Sequence, residues 1–286
     1  MADLASIIND KAKSDQEWKT QRQAERNGAV ALRDAAVTEI TSNPQQYARY
    51  LDMQGDNPTY SPGNIAMVMY ANDKATQIGT VERWQKMGRT VMASEMANGV
   101  QIFCRSTYGK GYTLKDAYDV AQTQGRPVYK RPLENETPAM EKALATVLNY
   151  AAAPVEVSNK LDSPARYDDT SRKILVNPEF PDNEAFGAII TEVALSRIHR
   201  GNDDFDRAEN LLDAQSVSYI LCRKYGVQAE KPDMSNLAAL YDGWAPDRRL
   251  AALNIIQNMS KQIGNSIDRA ITPPQRNRNH IQAQAR

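Results

Sequence analysis

Histidine is almost missing from this sequence: His199 and His280 are the only two in 286 residues. A catalytic zinc typically takes three protein ligands from His, Cys and carboxylates. Two histidines that cannot stand one helical turn apart do not build such a site. Cysteine is as scarce. Cys104 and Cys222 lie far apart, suggest no disulfide framework, and point to a reducing, cytoplasmic setting. Neither has a histidine nearby, so a thiol nucleophile is not expected. No run of eighteen apolar residues occurs, so no membrane span is expected. The first ten residues lack the basic start and apolar stretch of a secretory signal. A phosphate-binding glycine loop is missing too, since Gly109-Lys110-Gly111 is too short for one. Net charge is zero, which argues against coating nucleic acid by bulk charge but leaves room for a local basic groove. The first 130 residues are slightly basic, residues 131–271 acidic, and the tail 272–286 holds three arginines and no acid.

What is present is ordinary globular composition, with 41% hydrophobic and 24% charged residues. Residues 15–40 form a helical pattern whose buried side is assigned to Trp18, Val30, Leu32, Val37 and Ile40; residues 1–14 look polar and loose. Asn43-Pro44 breaks the pattern, and a short helix follows, anchored by Tyr47, Tyr50 and Leu51. Ser61-Pro62 reads as a cap with proline in the first turn of an apolar helix. Residues 81–91 lead into short β-type segments, and Val100, Ile102 and Cys104 alternate as in a half-buried strand. Three prolines between 127 and 138 mark a linker. Residues 165–176 read as a β-hairpin with a polar turn at 168–171. Three long helical patterns follow, with Gly226 a natural helix stop.

The helix at 186–199 organises the second half. Phe186, Ile189, Ile190, Val193 and Ile198 recur at helical spacing. Thr191 and Leu195 lie one turn apart on one face, and Glu192 follows Thr191. A zinc peptidase would carry its two ligand histidines at that pair of positions, with the acid as general base. Glu192 and Asp213 alone would make a weak, carboxylate-only site better suited to Mg²⁺ or Ca²⁺. Glu192 is expected to pair with a base such as Arg197 or Arg166, and His199 to be a helix-end histidine favoured by the dipole. In the first half Trp84, Lys86, Arg89, Phe103, Arg105, Tyr108, Lys110, Tyr112 and Lys115 interleave bases with aromatics. That is how single strands are held by stacking and phosphate contact.

Two series of motifs carry a resemblance. The first is Tyr60-Ser61-Pro62-Gly63-Asn64, Ala75-Thr76, the segment from Trp84 through Gly88 to Val91, and Tyr118-Asp119-Val120-Ala121-Gln122-Thr123. It resembles the N-terminal domain of the ArdC-type antirestriction family and its LtrC-like relatives on conjugative elements. The second is the hairpin, the Thr191-Glu192 helix, the stretch from Leu212 through Asp213 to Cys222, and Gly226. It resembles the zincin-like metallopeptidase domain that follows in that family. The resemblance implies single-stranded DNA binding by the first domain, and the aromatic–basic cluster supplies the candidate contacts Trp84, Lys86, Arg89, Arg105, Tyr108, Lys110, Tyr112 and Lys115. It implies a mobile genetic element, plasmid or integrative, as the setting.

The chain departs from the family where the metal should sit. His-Glu-x-x-His becomes Thr191-Glu192-Val193-Ala194-Leu195, and the completing acid aligns with Asp213. The expectation is therefore an α+β protein of two domains. Residues 15–127 form an α+β, single-stranded-DNA-binding domain. Residues 139–271 form a mostly helical zincin-like domain with a small hairpin sheet and degenerate metal positions. Residues 272–286 form a disordered basic tail. No metal, cofactor or peptidase activity is expected. The alternative is a non-catalytic interaction module that grips a protein of the transfer or restriction machinery in the degenerate cleft lined by Glu192 and Asp213.

Overall fold

The computed structural model describes residues 3–106, 109, 111–129 and 132–272. It resolves into two compact units. One holds the chain up to Tyr129 together with Asp233–Ile255; the other holds the chain between them and the residues from Ile256 onward. The α+β class read from the sequence is what the chain adopts. The span 233–255, expected within residues 139–271, folds with the N-terminal unit.

The first unit begins with helices α1 (Leu4–Ser42), α2 (Pro44–Asp56) and α3 (Pro62–Ala71). The helix α1 starts eleven residues before the expected Asp15. Residues 4–14 contain no Gly or Pro, and nothing in them stops a helix that has begun further on. Asn43 caps α2 by accepting from Gln45 N at 2.9 Å, and Ser61 caps α3 by accepting from Asn64 N at 3.4 Å. Eight of the ten residues of α3 are buried, so it is the unit's central helix, as its all-round apolarity implies. Val37 and Ile40 of α1 and Tyr47, Tyr50 and Leu51 of α2 pack in the same core.

Strand β1 (Ile78–Thr80) runs into α4 (Val81–Lys86), then β2 (Arg89–Val91), β3 (Val100–Arg105), β4 (Tyr112–Asp119) and β5 (Thr123–Gly125). The helix α4, to which the sequence reading gave no element, opens the stretch read as leading into short β-type segments. Thr80 caps it by accepting from Arg83 N, and it buries only Trp84, too little for a visible period. An antiparallel sheet runs β1-β4-β3, and β2 pairs with β5 separately. Asn64 sews α3 to the sheet: its Nδ2 donates to Phe103 O at 2.9 Å, and its Oδ1 accepts from Phe103 N at 3.0 Å. Asp119 does the same for β1, accepting from Thr76 N at 2.6 Å and Gln77 N at 3.1 Å.

The second unit holds α5 (Pro138–Leu148), β6 (Val155–Val157), β7 (Ala165–Asp168), β8 (Lys173–Val176), α6 (Asp182–His199) and α7 (Arg207–Tyr225). Its sheet runs β6-β8-β7, with β6 parallel to β8 and β7 antiparallel to it. The hairpin is the expected one, closed by Asp168, which accepts from Thr170 N and Ser171 N. Phe186, Ile189, Ile190 and Val193 of α6 are buried against α7, whose Val217, Ile220 and Leu221 are buried too. Gly226 ends α7 at φ +66°, a conformation that a side chain would strain. Helix α8 (Leu237–Leu240) lies in the first unit, and α9 (Pro246–Ile271) passes from residues of the first unit into those of the second. The tail beyond residue 272 lies outside the described residues.

Candidate functional site

The residues expected to contact single-stranded DNA divide sharply. Trp84 is 1% exposed, packs with Val91 and Tyr118, and donates its indole N–H to Tyr118 O at 3.0 Å. No base can stack on it. Arg89 is also structural. Its Nε donates to Thr123 Oγ1 at 2.7 Å and its Nη2 to Thr123 O at 2.9 Å, clamping β2 to β5. Lys115 reaches Glu82 at 2.7 Å, and that hydrogen bond holds the Glu82 carboxyl down to about 2. Lys86 and Arg105 are exposed and without an ion pair among the described residues. Tyr112 is 56% exposed. Tyr108 and Lys110 lie outside the described residues.

Tyr112 belongs instead to a groove that the sequence reading missed. The face of β3 and β4 carrying Gln101, Phe103, Tyr112 and Leu114 lies opposite Trp18, Lys19, Arg22, Gln23 and Arg26 of α1, and between them is a hollow of about 400 Å³. Trp18, assigned above to the buried side of α1, is 59% exposed. The Arg22 guanidinium lies 5.0 Å from its ring centroid, within cation–π range. A second hollow of about 330 Å³ shares Arg26, Phe103 and Tyr112 and continues past Arg33 to Ser61 and Gly63 at the start of α3. Arg33 pairs with Asp34 at 2.7 Å. Lys19, Arg22 and Arg26 have no ion pair among the described residues, and Glu25 is the one acid lining the first hollow. The signal was available: Trp18, Arg22 and Arg26 recur every fourth residue and Lys19 stands three before Arg22, which puts the four on one side of a helix.

The residues that the sequence reading aligned with a metal site, Thr191, Glu192, Leu195 and Asp213, lie in the second unit. Glu192 is 5% exposed. Its partner is neither Arg197 nor Arg166 but Arg207, the first residue of α7. Arg207 Nη1 donates to Oε2 at 2.8 Å and Nη2 to Oε1 at 2.7 Å, a two-pronged fork, while Tyr167 N donates to Oε2 at 2.7 Å. The hydrogen bond to Glu192 is the main cause holding the Arg207 guanidinium above its ordinary pKa. Arg197 donates to Tyr150 O at 3.0 Å instead. His199 is buried: its Nδ1 lies 2.8 Å from Tyr167 Oη and its ring stacks on Phe205 at 4.3 Å. Leu195 is fully buried, and Thr191 donates to Gly187 O at 3.2 Å within its own helix. Asp213 is half-buried, has no hydrogen bond or ion pair among the described residues, and burial pushes its carboxyl up to about 6.

These residues do not fit a divalent cation. Both oxygens of the Glu192 carboxylate already accept from donors, three in all, and two of the three come from the positively charged Arg207. Thr191 and Leu195, one turn apart on α6, offer only a hydroxyl already donated to Gly187 O and a buried aliphatic side chain. Among the described residues no group of three His, Cys, Asp or Glu side chains is placed to hold an ion.

No protein-family model matches the sequence, and no curated protein matches it by sequence. Solved structures do. The Mn(II)-bound crystal structure of the antirestriction protein ArdC from plasmid R388 matches at 17% identity with a TM-score of 0.51, covering 86% of this chain and 99% of that one. The metal-free structure of the same protein matches at 15% identity with a TM-score of 0.47, over 84% and 97%. The similarity covers most of both chains, and the chain has the fold of ArdC.

Proposed function

We propose that this chain is a single-stranded DNA-binding protein of a mobile genetic element, of the antirestriction kind, and that its second unit is a zincin-like scaffold without peptidase chemistry. The observation that carries the reading is the groove beneath α1. Three cations without ion pairs among the described residues, Lys19, Arg22 and Arg26, line it with two exposed aromatic rings, Trp18 and Tyr112. Rings hold bases by their faces and cations hold phosphates, and neither contact depends on sequence. A hollow of this size receives an unpaired base and its phosphate but not a duplex. The shared fold with an antirestriction protein supports the same reading.

Titration of a labelled oligonucleotide tests it. Single strands should bind more tightly than the matching duplex, Trp18→Ala and Arg22→Ala should each weaken binding, and Lys86→Ala, outside the groove, should not. Equal affinity for both strand forms, or indifference to Trp18 and Arg22, would sink the proposal. Expression in a restricting host should raise the survival of unmodified incoming plasmid DNA. Protease assays after incubation with Zn²⁺ or Mn²⁺ should give no cleavage, because Glu192 is held by Arg207 and cannot serve as a base. A second reading, a non-catalytic interaction module, is favoured by a separate cleft in the second unit.

A further inference from the structure

That cleft lies on the Thr191 side of α6, not at Glu192. It is about 570 Å³ and is walled by α6, by α7 and by the chain from Gln228 to Pro232. Its polar groups are mostly acceptors. Thr191 Oγ1 and Ser218 Oγ both donate their protons to Gly187 O, at 3.2 and 2.7 Å, which leaves their oxygens as acceptors. Glu184 and Glu230 line the cleft and have no ion pair among the described residues. The side-chain amides of Gln215 and Gln228 likewise have no hydrogen-bond partner there, and each supplies one more carbonyl.

One cation is already at this site. Lys231 Nζ lies 6.0 Å from the ring centroid of Tyr219, and both residues line the cleft. The face of Tyr219 is therefore a cation seat, and the segment 228–232 supplies its own occupant.

We propose that this cleft is a recognition site for a cationic, donor-rich group, an arginine or lysine side chain on an exposed segment of a partner polypeptide, and that Lys231 stands in for it when no partner is bound. An incoming guanidinium would displace Lys231 from Tyr219, donate to Gln215, Gln228 and the two hydroxyl oxygens, and be neutralised by Glu184 and Glu230. The proposal is independent of nucleic-acid binding, because the cleft shares no residue with the α1 groove.

Fluorescence polarisation with three labelled peptides tests it on the full-length protein. All have a Gly-Ser background, carrying Arg, Gln or Glu at the variable positions. The Arg peptide should bind about tenfold more tightly than the Gln peptide, the sum of a cation–π contact and two partly screened charges. The Glu184→Gln/Glu230→Gln double variant should remove most of that preference. Lys231→Ala should tighten binding about threefold by removing the internal competitor. Circular dichroism would establish that these surface variants stay folded. Equal binding of Arg and Gln peptides, or an Arg preference that survives the double variant, would overturn the proposal.

Discussion

Arg207 grips both oxygens of Glu192 where a metallopeptidase would leave its glutamate free to meet water. The fork closes a contact between the start of α7 and the middle of α6, and Tyr167 N adds β7 to it. The pair is buried on the Glu192 side, so removing one partner strands the other. Arg207→Ala should destabilise the protein by about 3–5 kcal/mol in urea unfolding, and Glu192→Ala by a similar amount. Replacing both with apolar residues, Glu192→Leu with Arg207→Met, should cost clearly less than the two single changes together. Additive costs would mean that the two side chains do not act as a pair.

Asp213 titrates in the opposite sense to a salt-bridged acid. Burial raises its folded pKa to about 6 from 3.8, so the folded chain keeps a proton that the unfolded chain has already lost between those values. The stability tied to the neutral carboxyl is full below pH 3.8 and is lost as pH climbs through about 6. The loss is at most about 3 kcal/mol. Asp213→Asn should therefore raise the melting temperature at pH 8 and leave it nearly unchanged at pH 4. An equal shift at both pH values would show that the variant acts through something other than the charge.

Trp84 and Trp18 should part company under mutation. Trp84 is enclosed and hydrogen-bonded to Tyr118 O, so Trp84→Ala should cost about 3–5 kcal/mol of stability. Trp18 is 59% exposed, so Trp18→Ala should leave stability within about 0.5 kcal/mol. Thermal unfolding of the two variants checks both at once.

The same contrast explains what the sequence revealed. The motifs that carry the family resemblance are structural. Asn64 extends the edge of β3, Asp119 holds the turn before β1, and Trp84 fills the core beside them. Gly88 sits at φ +73°, against Arg126. Such residues leave a legible pattern because the backbone demands them. The long helices and the hairpin were legible for the same reason, through periodicity and turn chemistry. Strands of three residues, such as β2 and β5, are too short to show alternation. The groove was misread because a large aromatic was assigned to the core by default, although α1, at 39 residues, is far longer than the helices beside it. The partner of Glu192 lies fifteen residues away, across a loop whose path no local rule specifies.

The α1 groove makes a prediction that separates its two kinds of contact. If Lys19, Arg22 and Arg26 each neutralise one phosphate, the logarithm of single-strand affinity should fall with the logarithm of salt at a slope of about −2. Arg26→Ala should flatten that slope by about 0.7, because one fewer counterion is released. Trp18→Ala removes a stacking face and no charge, so it should cost about 1–3 kcal/mol of affinity with the slope unchanged. Lys115→Ala should leave the slope as it is, since that cation already pairs with Glu82 at 2.7 Å. A Trp18 variant that changes the slope while keeping low-salt affinity, or an Arg26 variant that does the reverse, would mean that strand and phosphates lie elsewhere on the first unit.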